Sequence, residues 1–137
     1  MGLALTVETF YDSPFIDPSY ALAMCDAVKD IGLTLDTATL LSKRVSQAQW
    51  GPLFPFLRHV HVADAEIGQS HQVPYGKGGL DLPGLVADLR KVNYAAAISI
   101  EYIGPLPVGR TSVAPEPEIV RLRSILEDEL AKETSSG

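Results

Sequence analysis

The chain has a single cysteine, Cys25. It therefore forms no intramolecular disulfide and no zinc site built from several thiolates, and this usage fits a reducing compartment. Basic residues are in deficit: 11 Lys and Arg stand against 17 Asp and Glu, for a formal net charge of −6. With no cationic patch to neutralise phosphates, neither nucleic acid nor an anionic membrane surface is an expected partner. No apolar run reaches membrane-spanning length, and the N-terminus has no basic stretch leading into a continuous apolar one. A cytoplasmic protein is the expectation. Residues 1–6 fit a loose lipid-attachment pattern, but they read better as a core strand, and Cys25 reads as an inert packing residue on the buried face of a helix. What remains, 137 residues of which 46% are hydrophobic, suits one globular domain that is neither disordered nor fibrous.

Four stretches share one design: Leu3 to Glu8, Ile31 to Asp36, His59 to Val62 and Ala97 to Glu101. Strand side chains alternate faces, so Ala4, Thr6 and Glu8 share one side while Leu3, Leu5 and Val7 share the other. The same parity groups Gly32, Thr34 and Asp36, then His59 and His61, then Ala97, Ser99 and Glu101. Each apolar face should pack on helices, and each small, polar face ends in a potential metal ligand.

Helices are expected between these strands. Asp17 and Pro18 supply an N-cap and a first-turn proline for a helix reaching Lys29, with Tyr20, Ala21, Met24, Ala27 and Val28 at helical spacing. Thr37 to Arg44 fits one or two turns, and Ser46 can cap an irregular helix towards Phe56, interrupted by Pro52 and Pro55. A long loop, Asp64 to Leu80, follows the third strand, and loops of this length in a compact domain are functional or mobile. Asp81 to Pro83 starts a helix carrying Leu85, Val86 and Leu89. The four strands with their helices fill residues 1–103, and a Pro-rich connection spans 104–117. An amphipathic helix over 118–132 places Ile119, Leu122, Ile125, Leu126 and Leu130 on one face; the tail, 133–137, should fray.

Strand alternating with helix implies parallel strands with right-handed crossovers. Candidate ligands are separated by 28, 25 and 40 residues, against about 31 residues per unit in an eight-unit TIM barrel. The expected fold class is therefore α/β, four parallel units equivalent to half a TIM barrel. All four polar ends are C-terminal strand ends, where barrel enzymes keep their chemistry.

Taken together, Glu8 at the end of Leu5 to Glu8, Asp36 in Gly32 to Thr37, His61 in His59 to Asp64, the loop Pro74 to Asp81 and Glu101 in Ile98 to Glu101 resemble the C-terminal half of the xylose isomerase-like TIM barrel superfamily. That group includes sugar isomerases, epimerases, dehydratases and endonuclease IV. The resemblance implies that Glu8, Asp36, His61 and Glu101 ligate one divalent cation, and three carboxylates with one imidazole suit Mn²⁺, Mg²⁺, Co²⁺ or Zn²⁺. It further implies an isomerase or epimerase of a small sugar or polyol working through an enediolate, with Glu8 and Glu101 exchanging substrate protons. His71 and Lys77, on the long loop, are then expected to meet substrate hydroxyl or phosphate groups. His59 reads as an interior histidine and Asp64 as a loop cap or outer support.

Three departures qualify the resemblance. Thr39 stands where many members have a histidine three residues after the aspartate. Gln69, Ser70 and His71 stand where endonuclease IV has an Asp-x-His pair. The first four strands of the barrel are lacking, so the strands bearing Glu8 and Glu101 should expose open edges. A homodimer, a complementary half-barrel chain, a final helix folded over one edge, or a clipped gene would each account for that. A dehydratase using the same cation and a non-catalytic half-barrel serving in binding or assembly are the alternative functions.

Overall fold

The structure is a computed structural model that describes residues 3–103 and 113–132. Six strands and four α-helices follow in the order β1 Leu5–Glu8, α1 Pro18–Ala27, β2 Ile31–Asp36, α2 Thr37–Ser42, β3 Leu57–Val62, β4 Asp64–Ala65, β5 Gln72–Val73, α3 Leu82–Lys91, β6 Ile98–Ile100 and α4 Pro115–Ala131. Short 3-10 helices cover Pro14–Ile16 and Gln47–Phe56. The main sheet runs β1-β2-β3-β6 with every pairing parallel, as alternating strands and crossover helices require. Among the described residues β1 and β6 each have a strand neighbour on one side only.

Strand parity sorts the sheet into two chemistries. Leu33, Leu35, Val60 and Val62 are fully buried and face the helical layer, where Trp50, Leu53, Leu85, Val86 and Leu122 meet them. Burying each large aliphatic side chain contributes about 1.5–3 kcal/mol, which makes this layer the main source of cohesion. A register shift between Leu33 and Thr34 lets β3 keep Arg58 outside the pairing, so His59 and His61 fall on the same face as Thr34 and Asp36. Gly32 admits β3 closely, because a Cβ there would lie 2.4 Å from the Arg58 Cγ.

Several local expectations need correcting. The first strand begins at Leu5, with Leu3 fully exposed before it, and the fourth is reduced to Ile98–Ile100, leaving Glu101 just past its end. Helix α1 turns Ala21 and Cys25 inward but leaves Tyr20, Ala27 and Val28 outside, because it packs on one side only, against the Gln47–Phe56 helix and β2. Helix α4 starts at Pro115 rather than Glu118; proline at the first turn lacks an N–H that would have no helical partner anyway. Leu130, assigned to its apolar face, is 46% exposed. The loop from Asp64 to Leu80 contains the antiparallel pair β4–β5. Cys25 is buried as expected, and burial raises its thiol pKa. Residues 104–112 of the Pro-rich connection and the tail 133–137 lie outside the described residues.

Candidate metal centre

The four strand-end residues converge. One carboxylate oxygen each from Glu8, Asp36 and Glu101 and one ring nitrogen of His61 lie within 4.8 Å of one another. His61 is the hub, its Nδ1 3.0 Å from Glu8 Oε1 and 2.6 Å from Glu101 Oε2. Two short links hold Asp36 in place: its backbone N–H donates to Thr9 Oγ1 at 2.9 Å, and its Oδ1 accepts from the Thr39 N–H at 2.8 Å as the N-cap of α2. Thr39, like the rest of that helix, is buried.

Exposure grades across the cluster. Asp36 is 9% exposed, while the side chains of His61, Glu8 and Glu101 are 21%, 36% and 45% exposed. The centre thus has a dry floor and a wet mouth. Burial raises the Asp36 carboxyl pKa to about 6, opposed by the hydrogen bond from Thr39 and reinforced by the negative charges of Glu101 and Glu8. Three carboxylates around one imidazole form an electrostatically unbalanced group whose charge a divalent cation would largely offset. Ligands at about 2.1 Å and right angles stand about 3 Å apart, which is the spacing of His61 Nδ1 and Glu8 Oε1.

A second polar row lies one residue pair deeper. Thr34 Oγ1 donates to Thr6 Oγ1 at 3.0 Å, and His59 Nε2 contacts Ser99 Oγ at 2.9 Å. The His59 and His61 rings meet edge to face, 5.0 Å between centroids. Burial and the neighbouring His61 lower the pKa of the half-buried His59, whose ring is bonded to Ser99. Neither His71 nor Lys77 is part of the converging group. His71 Nε2 contacts Glu66 Oε2 at 3.1 Å, and Lys77 is an exposed residue in the turn closed by its N–H on the Pro74 carbonyl.

Asp64 organises the long loop. Fully buried, it accepts from the backbone N–H groups of Gly76 and Gly78 through Oδ2 and from those of Ala65 and Leu80 through Oδ1. Gly76 adopts φ +92, and a Cβ on Gly78 would lie 2.3 Å from the Ala65 carbonyl oxygen, so both glycines are required by the wrapping. Sequence reasoning missed Gln72 and Tyr102 as supports. Gln72 Nε2 donates to the Glu101 carbonyl at 2.8 Å while its Oε1 accepts from the Ile103 N–H at 2.7 Å, clamping the backbone that carries Glu101. Tyr102 accepts from the Asp64 N–H and donates to the Val73 carbonyl, and burial pushes its pKa to about 12. A glutamine in a Gly-rich loop carries no sequence signal that distinguishes a clamp from a solvated side chain.

A family model described as xylose isomerase-like TIM barrel matches residues 1–126. Among curated proteins nothing matches.

Proposed function

The chain belongs to the xylose isomerase-like TIM barrel family, and from that premise we propose that it is a divalent-metal-dependent isomerase or epimerase of a small sugar or polyol, with Glu8, Asp36, His61 and Glu101 as the ligands. The observation that carries this reading is the convergence of three carboxylates and one imidazole within 4.8 Å at the C-terminal ends of parallel strands. When bound, the cation supplies Lewis acidity to a carbonyl or alkoxide oxygen and so lowers the barrier to removing the adjacent C–H proton. Mn²⁺, Mg²⁺, Co²⁺ and Zn²⁺ all suit the donor set.

The side chains divide the remaining work. Glu8, at the end of β1, and Glu101, just past the end of β6, lie at the open side of the centre, and we assign them to opposite sides of a substrate. One carboxylate takes the proton from carbon and the other returns one, the pairing that inversion or transfer at adjacent carbons needs. Asp36 remains on the dry floor. His71 and Lys77 belong to the loop that leaves the C-terminal end of β3, and we assign them to substrate hydroxyl or phosphate groups. Incubating the Mn²⁺-loaded protein with a panel of ketoses in deuterated water tests the assignment. The expected result is deuterium at the carbon next to the carbonyl, reduced at least about a hundredfold in Glu8→Gln and in Glu101→Gln. Wild-type protein that takes up the cation and exchanges no ketose in the panel would contradict it.

A further inference from the structure

Of the four converging side chains, Glu101 alone stands outside a strand. Glu8, Asp36 and His61 belong to β1, β2 and β3, whereas Glu101 lies just past the end of β6. Its N–H makes the last bond of the β3–β6 ladder, to the Val62 carbonyl at 3.1 Å. Beyond Val62 the chain leaves β3 for the long loop, and the Glu101 side chain, 45% exposed, has little packing to fix its direction. The orientation of such a group depends on the hydrogen bonds made behind it.

Strand register shows what takes the place of β3 there. Val62 is level with Ile100. In a parallel ladder a residue gives its N–H to the carbonyl one place before its opposite number and accepts the N–H one place after it; the bond from Glu101 to Val62 obeys that rule. Two residues further on, Asp64 would be level with Tyr102, and its peptide groups would meet the Glu101 carbonyl and the Ile103 N–H. The Asp64 N–H is turned instead to the Tyr102 hydroxyl. One side chain makes both of the ladder bonds: Gln72 Nε2 donates to the Glu101 carbonyl at 2.8 Å, and Gln72 Oε1 accepts from the Ile103 N–H at 2.7 Å. The Gln72 amide thus occupies the position of a β3 peptide group. Gln72 is 8% exposed, a depth at which a long polar side chain is expected to have its hydrogen bonds made.

We infer that Gln72 is a positioning residue for Glu101: its side-chain amide extends the β3–β6 ladder by one step and so holds Glu101 in line with Glu8, Asp36 and His61. That this alignment serves cation binding rests on the ligand role proposed above. The other ties of the long loop do not touch this peptide. Asp64 gathers the N–H groups of Ala65, Gly76, Gly78 and Leu80, and on α4 Glu118 accepts the Tyr75 N–H while Arg121 donates to the Tyr75 carbonyl. Gln72 also directly follows His71 in the chain. The loop assigned to substrate and the carboxylate assigned to proton transfer are therefore joined through a single side chain.

Mn²⁺ affinity of the full chain, measured by calorimetric titration at neutral pH, tests the inference. Gln72→Met removes both hydrogen bonds at similar side-chain length, and Gln72→Asn keeps an amide but withdraws it by one methylene. Each is expected to lower affinity by about ten- to a hundredfold. In a Glu101→Gln background the same substitutions should change affinity by less than about threefold, because the carboxylate they position is gone. Arg121→Met releases the loop at Tyr75 and should leave affinity within about threefold of wild type. Equal losses in both backgrounds, or a loss in Arg121→Met matching that in the Gln72 variants, would reduce the effect to loop stability and overturn the inference, as would unchanged affinity in both Gln72 variants. Wild-type protein that binds no cation would remove the proposed function, and the positioning is then read in chelator by amide hydrogen exchange. Gln72→Asn should accelerate exchange at Glu101 together with Ile103 by at least about tenfold; acceleration at Ile103 alone would overturn the inference.

Discussion

Asp36 is the residue at which fold and chemistry pull hardest against each other. It sits on the dry floor, accepts a capping hydrogen bond, and shares its surroundings with two further carboxylates. Its folded pKa, about 6, lies above the ordinary aspartate value of 3.8. The protonated form is thus the one that favours folding. Without metal, the stability this carboxyl contributes is full below about pH 4 and lost as pH rises through about 6, a swing of about 2–3 kcal/mol. Asp36→Asn keeps an oxygen for the Thr39 N–H and removes the titration. In chelator, urea unfolding should show the variant gaining on wild type by that amount between pH 4 and pH 7. A constant difference across that range would mean that the carboxyl is not strained. Period-two parity made the identities of Glu8, Asp36, His61 and Glu101 legible, because each ends a strand on its polar face. Their unequal depth was not legible, since it comes from α2 closing over Asp36 alone.

At the scale of elements, the connection from β3 to α3 is held mainly by one side chain. Asp64 gathers four backbone N–H groups, and Glu118 on α4 accepts from the Tyr75 N–H and pairs with Arg121. Asp64→Ala leaves those amides without their shared acceptor and should lower stability by about 2–4 kcal/mol. Hydrogen exchange is expected to accelerate at Gly76, Gly78 and Leu80 while Leu35 and Val60 remain protected; uniform acceleration would mean that Asp64 supports the whole domain. The long strand β2 and helix α3 were readable from caps and periodicity, and α1 from its Asp17 cap and Pro18 alone, since Tyr20, Ala27 and Val28 of its expected stripe face outward. The β4–β5 hairpin was not, because two-residue strands have no period to read. The start of α4 was hidden because Pro115 and Pro117 look like linker residues until their first-turn positions are known.

For the whole molecule, four parallel strands make a polar face ending in the charged centre and an apolar face that packs on helices. Spacing of the strand ends was enough to identify half a barrel, since each unit is a fixed length of chain. What lies beyond β1 and β6 could not be read, because edge pairing depends on register, and register appears only once strands are side by side. The centre concentrates three carboxylates on a chain already at −6, and a cation there would offset that repulsion and add stability by mass action. The most direct test is the metal content and binding isotherm of the purified chain, titrated with Mn²⁺ and Zn²⁺ at neutral pH. One equivalent of divalent cation per chain is expected, with affinity reduced at least about tenfold in each of Glu8→Gln and Glu101→Gln. A correctly folded wild-type protein that binds neither ion, or binds both as tightly after those substitutions, would contradict the account.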